Sequence, residues 1–361
     1  MTPLDPFRDG IWLKREDEHQ LGAFKWRGAV ATLEALKPGG QTRAEGMVPG
    51  PAPGVSDDGA FGPWVVVTAS TGNHGAATAW AARRAGIRAI VFVPEAASAA
   101  KVALIELQGA ELRRVGADLD EAKAAARELS DREGGFLFED GAEAAQFDGY
   151  AAIGDELLDQ LTELPGPSTW EKGDGPRSQS RGVLLGGHAL DPGFVVSERG
   201  STAPLHPGMA PGSVVVPVGN GALAIGVFRA LAARAPMTER VAVSAAGAPA
   251  MWESWRAGRP ADSESSATFA DGLAVRIAIP LAVAELNPLV QRFELVTERE
   301  LALAVGAYAE VGIRAEGAAA APLAVALRET LPRPVVLIVT GRNIDDELWR
   351  RAVDAPDSFA A

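Results

Sequence analysis

The chain has 361 residues, 47% of them hydrophobic and 22% charged, the proportions of a soluble globular protein large enough for two lobes and a cleft. A formal net charge of −13 repels polyanions, which argues against a nucleic-acid partner, and the lack of cysteine excludes disulfides, thiolate catalysis and cysteine-held metals. The start Met1-Thr-Pro-Leu-Asp5 has no basic region followed by an apolar core, and no apolar run reaches the ~20 residues that span a bilayer, so a cytoplasmic protein without a membrane partner is the expectation.

The first informative segment is Leu21-Gly-Ala-Phe-Lys-Trp-Arg-Gly28, which follows Ile11-Trp-Leu-Lys-Arg-Glu-Asp17. A lysine serves as a nucleophile when burial and neighbouring positive charge leave enough of it unprotonated. Phe24 and Trp26 offer Lys25 an apolar wall, and Arg27 offers the charge; taken alone, such a lysine is more readily a solvated surface residue. Residues 38–63 are rich in Gly and Pro and read as a flexible excursion.

Val65-Val-Val-Thr68 then reads as a strand leading into Ser70-Thr-Gly-Asn-His-Gly75 and a helix over 76–84 stopped by Gly86, with the next strand at 87–94. This β-α-β pattern, with arginines at the helix C-terminus, predicts an α/β protein with parallel strands. A second Gly/Pro/Ser-rich excursion covers 164–212. Beyond it, Val214-Val-Val-Pro-Val218 enters Gly219-Asn-Gly-Ala222 and a helix over about 223–235, and Val335-Val-Leu-Ile-Val339 enters Thr340-Gly-Arg-Asn-Ile-Asp345. Each of these candidate segments follows a strand, at the carboxyl end where open α/β sheets bind ligands.

The Ser70 segment sets small residues and backbone N–H groups at a helix N-terminus, a site for a carboxylate or phosphate, and Asn73 adds an amide donor. The Gly219 segment repeats that geometry without completing a nucleotide-binding pattern. Both are also compatible with ordinary strand-to-helix turns. His74 shows no metal-ligand spacing with His19, His188 or His206 and reads as a loop residue. Thr340 presents a neutral hydroxyl suited to a ring nitrogen, or to a helix cap.

Taken in order, Leu13-Lys-Arg-Glu-Asp17, Phe24-Lys-Trp-Arg-Gly-Ala29, Ser70-Thr-Gly-Asn-His74, Val216-Pro-Val-Gly-Asn-Gly221, Ala270-Asp-Gly-Leu273, Ala315-Glu-Gly-Ala318 and Thr340-Gly-Arg-Asn-Ile-Asp345 resemble the fold-type II (tryptophan synthase β-like) pyridoxal-phosphate enzymes, in particular the serine/threonine dehydratase and serine racemase branch. The resemblance implies two open, twisted, mostly parallel sheets flanked by helices. It implies a large cofactor-binding domain from 1–63 and 153–361, a small domain from 64–152, and a homodimer.

The same resemblance implies roles for individual residues. Lys25 would form the Schiff base with pyridoxal 5'-phosphate and then move the Cα proton, with Phe24 beside the ring and Asn73 on its phenolic oxygen. Gly219, Asn220, Gly221, Ala222 and Leu223 would wrap the phosphate, with Thr340 and Glu316 at the ring-nitrogen end. Ser70, Thr71, Gly72, Asn73 and His74 would grip the substrate carboxylate. The implied reaction is β-elimination from a small hydroxy amino acid such as L-threonine or L-serine, through an aminoacrylate, to a 2-oxo acid and ammonia. Racemisation and threonine synthase-like β-replacement are the alternatives, with a non-catalytic cofactor binder behind them.

Departures from the family pattern matter too. Ala23 stands where many members have serine before Phe-Lys. Thr71 stands where racemases carry a reprotonating serine and many dehydratases carry alanine, so it is a second candidate catalytic residue. Ser244-Ala-Ala-Gly-Ala-Pro-Ala250 has no carboxylate where metal-dependent members place their ligands, so no metal is expected.

Overall fold

A computed structural model describes residues 1–8, 10–36, 65–97, 99–163 and 210–359. The excursions expected at 38–63 and 164–212 thus lie outside the described residues, except for 210–212. In chain order, β1 (Leu4–Arg8), β2 (Ile11–Arg15) and α1 (Trp26–Ala35) come first. They are followed by β3 (Val65–Ala69), α2 (Asn73–Ala85), β4 (Arg88–Val93), α3 (Ala99–Glu106), β5 (Glu111–Arg114), α4 (Leu119–Glu133), β6 (Phe136–Leu137) and α5 (Ala144–Glu163). After these come β7 (Ser213–Pro217), α6 (Ala222–Arg234), β8 (Glu239–Ala245), α7 (Ala250–Ala257) and α8 (Pro280–Leu286). The last group is β9 (Arg292–Val296), α9 (Glu298–Ala309), α10 (Gly317–Arg328), β10 (Val335–Val339) and α11 (Asp346–Asp354).

The strands form two sheets, as the family resemblance implies, and are mostly parallel, as the α/β pattern predicts. One has six strands in the order β1-β2-β10-β7-β8-β9, parallel except for β1. The other has four parallel strands in the order β5-β4-β3-β6. Parallel strands are covered on both faces and so read as continuous apolar runs, with successive side chains going to opposite sides. Val214, Val216, Val336 and Ile338 pack with Phe147, Leu157 and Phe228 from α5 and α6. The intervening Val215, Leu337 and Val339 pack with Leu301, Val305 and Ala319 from α9 and α10. In the smaller sheet Val67, Ile90 and Phe92 meet α4, whereas Val91 and Val93 meet α2 and α3.

One boundary differs in a way that affects the site. The helix expected over 76–84 begins at Asn73, so Asn73 and His74 lie in its first turn instead of the preceding loop. Gly72, at φ −128 and ψ −148, makes the turn from strand to helix, and Gly86 in the left-handed conformation (φ 70) closes the helix.

Candidate active site

Lys25 is the N-cap of α1, and the segment before it is zipped to the segment after β10. The Phe24 N–H donates to the Thr340 carbonyl (3.1 Å) and the Arg342 N–H to the Gly22 carbonyl (2.9 Å), while Ala23 and Gly341 form an antiparallel bridge. The Asn343 amide completes the zipper by donating to the Leu21 carbonyl at 2.7 Å. Residues 315 positions apart in sequence, Lys25 and Thr340, are thereby held on adjoining backbone. Because β7 pairs with β10, the Gly219 loop leaves the neighbouring strand at the same end of the sheet.

The charge lying against Lys25 is negative. Its Nζ donates to Asp140 Oδ2 at 2.6 Å and sits 4.9 Å from the centre of the Phe24 ring. Arg27 does not provide the neighbouring positive charge expected from the sequence. Its guanidinium is engaged by Glu16 (2.9 and 3.0 Å) and Glu156 (2.8 and 2.9 Å). Trp26 likewise faces elsewhere, stacked on His19 with ring centres 4.5 Å apart, so the apolar wall on the lysine side is Phe24, itself against Tyr150.

Asp140 follows β6 and was not singled out in the sequence. Gln146 Nε2 reaches its Oδ1 at 3.4 Å, and His74 Nδ1 lies 3.6 Å from the same oxygen. Burial pushes the Asp140 carboxyl up, but Lys25, His74 and the hydrogen bonds from Lys25 and Asn220 outweigh it and hold it at about 2. The carboxylate is therefore ionised at any ordinary pH. A signal was present: Asp140 stands at the carboxyl end of a strand in a parallel sheet, the favoured place for ligand-binding residues. That strand is two residues long, too short to announce itself by pattern.

His74 is buried, with Nε2 3.2 Å from the Phe138 carbonyl. A carbonyl only accepts, so Nε2 carries the proton and Nδ1 faces Asp140. Burial, foremost, pushes the ring below its ordinary value. The imidazole thus turns inward to Asp140, and His74 can meet a carboxylate only through its backbone N–H in the first turn of α2. Ser70 and Thr71 are half-buried and Gly72 is exposed; the Gly72 N–H donates to Ser70 Oγ at 3.2 Å.

Asn73 Nδ2 donates to both carboxylate oxygens of Glu316 (3.2 and 3.1 Å), and its Oδ1 accepts from Asn343 at 2.7 Å. Glu316 in turn lies against Gly341, where an added Cβ would come within 2.7 Å of Glu316 Oε1. Asn73, Glu316 and Thr340 are thus grouped around one turn. Asn343 is a further site residue that the sequence offered only as part of a motif.

Gly221 is the N-cap of α6 with φ 99, a conformation that side chains rarely adopt. The Ala222 N–H is capped by Asn220 Oδ1 at 3.1 Å, and Ala222 and Leu223 are buried in the first turn of the helix. Two observations fit these residues to an aldehyde cofactor bearing a ring nitrogen and a phosphate. Glycines at 219 and 221 open a helix N-terminus to a phosphate. The buried Thr340 Oγ1 has no hydrogen-bond partner among the described residues, and a buried hydroxyl calls for one.

Comparison with known proteins agrees with this chemistry. The model of the family described as pyridoxal-phosphate dependent enzymes matches residues 2–168 and 205–341. L-threonine ammonia-lyase of Geobacter sulfurreducens is 27% identical over 339 residues, covering 93% of this chain and 67% of the relative. Among solved structures, the processed threonine deaminase isoform 2 of Solanum lycopersicum superposes with a TM-score of 0.74 at 22% identity, covering 98% of this chain and 87% of that one. Maize serine racemase gives 0.72 at 22% identity, covering 99% and 93%. At such identities the two superpositions establish a common fold.

Proposed function

The chain belongs to the pyridoxal-phosphate-dependent enzyme family, and from that premise we propose that it is an ammonia-lyase converting a small hydroxy amino acid, such as L-threonine or L-serine, into a 2-oxo acid and ammonia. The observation that carries the reading is the pairing of Lys25, its side chain partly exposed, with the buried hydroxyl of Thr340 on the adjoining strand end, which has no hydrogen-bond partner among the described residues. Bound pyridoxal phosphate supplies an electron sink for bond breaking at the substrate Cα. The L-threonine ammonia-lyase relative supports the choice of reaction.

In this reading Lys25 Nζ anchors the cofactor and then removes the Cα proton. Phe24 packs beside the ring and Asn73 turns its amide toward the ring's phenolic oxygen. The N–H groups of Gly219, Asn220, Gly221, Ala222 and Leu223 hold the phosphate, with Ala222 exchanging the Asn220 cap for it. The Thr340 hydroxyl would face the ring nitrogen, with Glu316 nearby; a neutral partner would leave that nitrogen less fully protonated than a carboxylate would, which suits elimination. The backbone of 70–74 takes the substrate carboxylate at the N-terminus of α2. The reading includes a homodimer in the cytoplasm and a small domain, 64–152, that closes on substrate and excludes water.

A second reading, amino-acid racemisation, is favoured by one residue: Thr71 brings a half-buried hydroxyl to the same loop, where it can return a proton to Cα. The deciding experiment is release of 2-oxo acid from L-serine, D-serine, L-threonine and 3-hydroxyaspartate by cofactor-loaded protein. Release from any of them, abolished in Lys25→Ala, supports the lyase. Inversion of serine without 2-oxo acid supports the racemase, and silence toward all four overturns the lyase reading.

A further inference from the structure

Lys25 Nζ marks the place an amine occupies in this cleft, and in the function proposed above the α-amine of the substrate takes over from it. An ammonium at that place has a carboxylate 2.6 Å away. We propose that Asp140 is the residue that receives the α-ammonium group of the arriving amino-acid substrate, before that group gives up a proton to solvent and its amine displaces Lys25 from the cofactor; the inference rests on the proposed function and names a recognition element within the same site.

The surroundings of Asp140 fit a ligand-binding carboxylate better than a structural ion pair. Its side chain is 26% exposed and that of Lys25 15%, so both are partly accessible to a ligand, unlike the sealed Arg27–Glu16 pair at 3% and 0%. Among the described residues, the remaining groups on Asp140 hold it in place and bring no second permanent cation: Gln146 at 3.4 Å, the His74 ring at 3.6 Å and the Asn220 amide. The backbone is fixed as well. The Gly141 N–H donates to Gln146 Oε1 at 2.7 Å, and Gly141 (φ 88) passes so close to Asn220 that a Cβ would come within 2.7 Å of its amide carbon.

Position in the sheet supplies the second argument. β6 and β3 are neighbours in the smaller sheet, so Asp140 and the Ser70 loop emerge side by side from adjacent parallel strands. His74, in the first turn of α2, packs its ring on Phe138 with centres 4.7 Å apart and ties the two segments together. The two charges of an amino acid are thus met by two adjoining strand ends, the carboxylate by the N-terminus of α2 and the ammonium by Asp140. The larger sheet, through β7 and β10, keeps its strand ends for the cofactor. Two fixed charge contacts thus orient the arriving amino acid before its amine bonds to the cofactor.

The test uses Lys25→Ala protein loaded with pyridoxal phosphate, in which Asp140 has lost its internal ammonium and Cα proton removal by lysine is absent. L-serine and methylamine are titrated in and followed by the cofactor's visible absorbance. Glycerate, which lacks the amine, is measured as a competitor. Adding Asp140→Asn is expected to weaken L-serine and methylamine roughly 10- to 100-fold, the worth of a charge-assisted hydrogen bond, and to leave glycerate within about 2-fold. Asp140→Glu, which keeps the charge, is expected to restore much of the lost affinity, and circular dichroism checks that each variant is folded. Unchanged serine affinity, or equal weakening of serine and glycerate, overturns the role of Asp140 while leaving the lyase reading intact. No spectral response to either amine in Lys25→Ala alone overturns both.

Discussion

Thr340 is 2% exposed and its hydroxyl has no hydrogen-bond partner among the described residues, a state that costs ~1–3 kcal/mol when a polar group is left unsatisfied. Thr340→Val keeps the shape and removes the hydroxyl, so nothing among the described residues loses a bond. Thermal unfolding of the apoprotein should therefore be unchanged or slightly improved. The dissociation constant for pyridoxal phosphate, by contrast, should rise roughly 5- to 10-fold, the worth of one hydrogen bond. Equal cofactor affinity in the two proteins would remove Thr340 from the cofactor site. Thr340 was legible in the sequence because it ends a five-residue apolar strand, and Lys25 because it stands in an ordered set of motifs. Asp140 was not, because the strand before it has two residues. The direction of Arg27 was not either, because one of its acceptors, Glu156, is 129 positions away and no local pattern announces it.

Where Arg27 goes explains how the elements around the site are held. It joins α1 to Glu16 and to Glu156 of α5, and Lys14 of β2 reaches Glu156 (2.9 Å), Gln160 (2.9 Å) and the Thr2 carbonyl (2.7 Å). The helices are brought together by glycines: a Cβ at Gly149 of α5 would come within 2.5 Å of the Arg27 carbonyl, and one at Gly154 within 2.7 Å of Ala230 in α6. Burial pushes Glu156 up, but the hydrogen bonds and charge of Arg27, with Lys14, outweigh it and hold it at about 2, against 4.5 for the free group. The folded chain thus keeps this carboxylate ionised where the unfolded chain protonates it. Its stabilisation is full above pH 4.5 and is lost as pH falls toward 2. Glu156→Gln leaves the fully buried Lys14 and Arg27 short of a counter-charge and should lower the unfolding free energy by ~3–5 kcal/mol at neutral pH. The gap to wild type should narrow as pH falls through that window in denaturant titrations; a gap independent of pH would show that the lost interaction is not ionic. At this scale the apolar strands were readable from their runs, and β10 was bounded correctly at 335–339. The start of α2 was missed because Asn and His are weak helix formers and the alanine-rich stretch after them carries the stronger signal.

Across the whole molecule, the two sheets meet at the site through polar side chains: Lys25 with Asp140, Asn73 with Glu316 and Asn343, Asn220 with Asp140. In the proposed function each of these is a group that cofactor or substrate engages, so a ligand would bind there by exchanging partners at the junction between the sheets. Composition allowed for two lobes and a cleft but gave no sign of this junction, whose members come from residues 25, 73, 140, 220, 316 and 343. The overall charge of −13 opposes the approach of an anionic cofactor or an amino-acid carboxylate, whereas the N-termini of α2 and α6 favour anions only at close range. Long-range repulsion is screened once the Debye length falls to ~10 Å, at about 0.1 M salt, while contacts inside the cleft are screened much less. The association rate of pyridoxal phosphate with apoprotein, followed by stopped-flow absorbance, should therefore rise several-fold between low and moderate ionic strength, with little change in the dissociation rate. A rate that falls with salt would mean that the cleft projects a positive field strong enough to overcome the net charge and draw anions in from a distance, and that the acidic surface plays no part in ligand encounter.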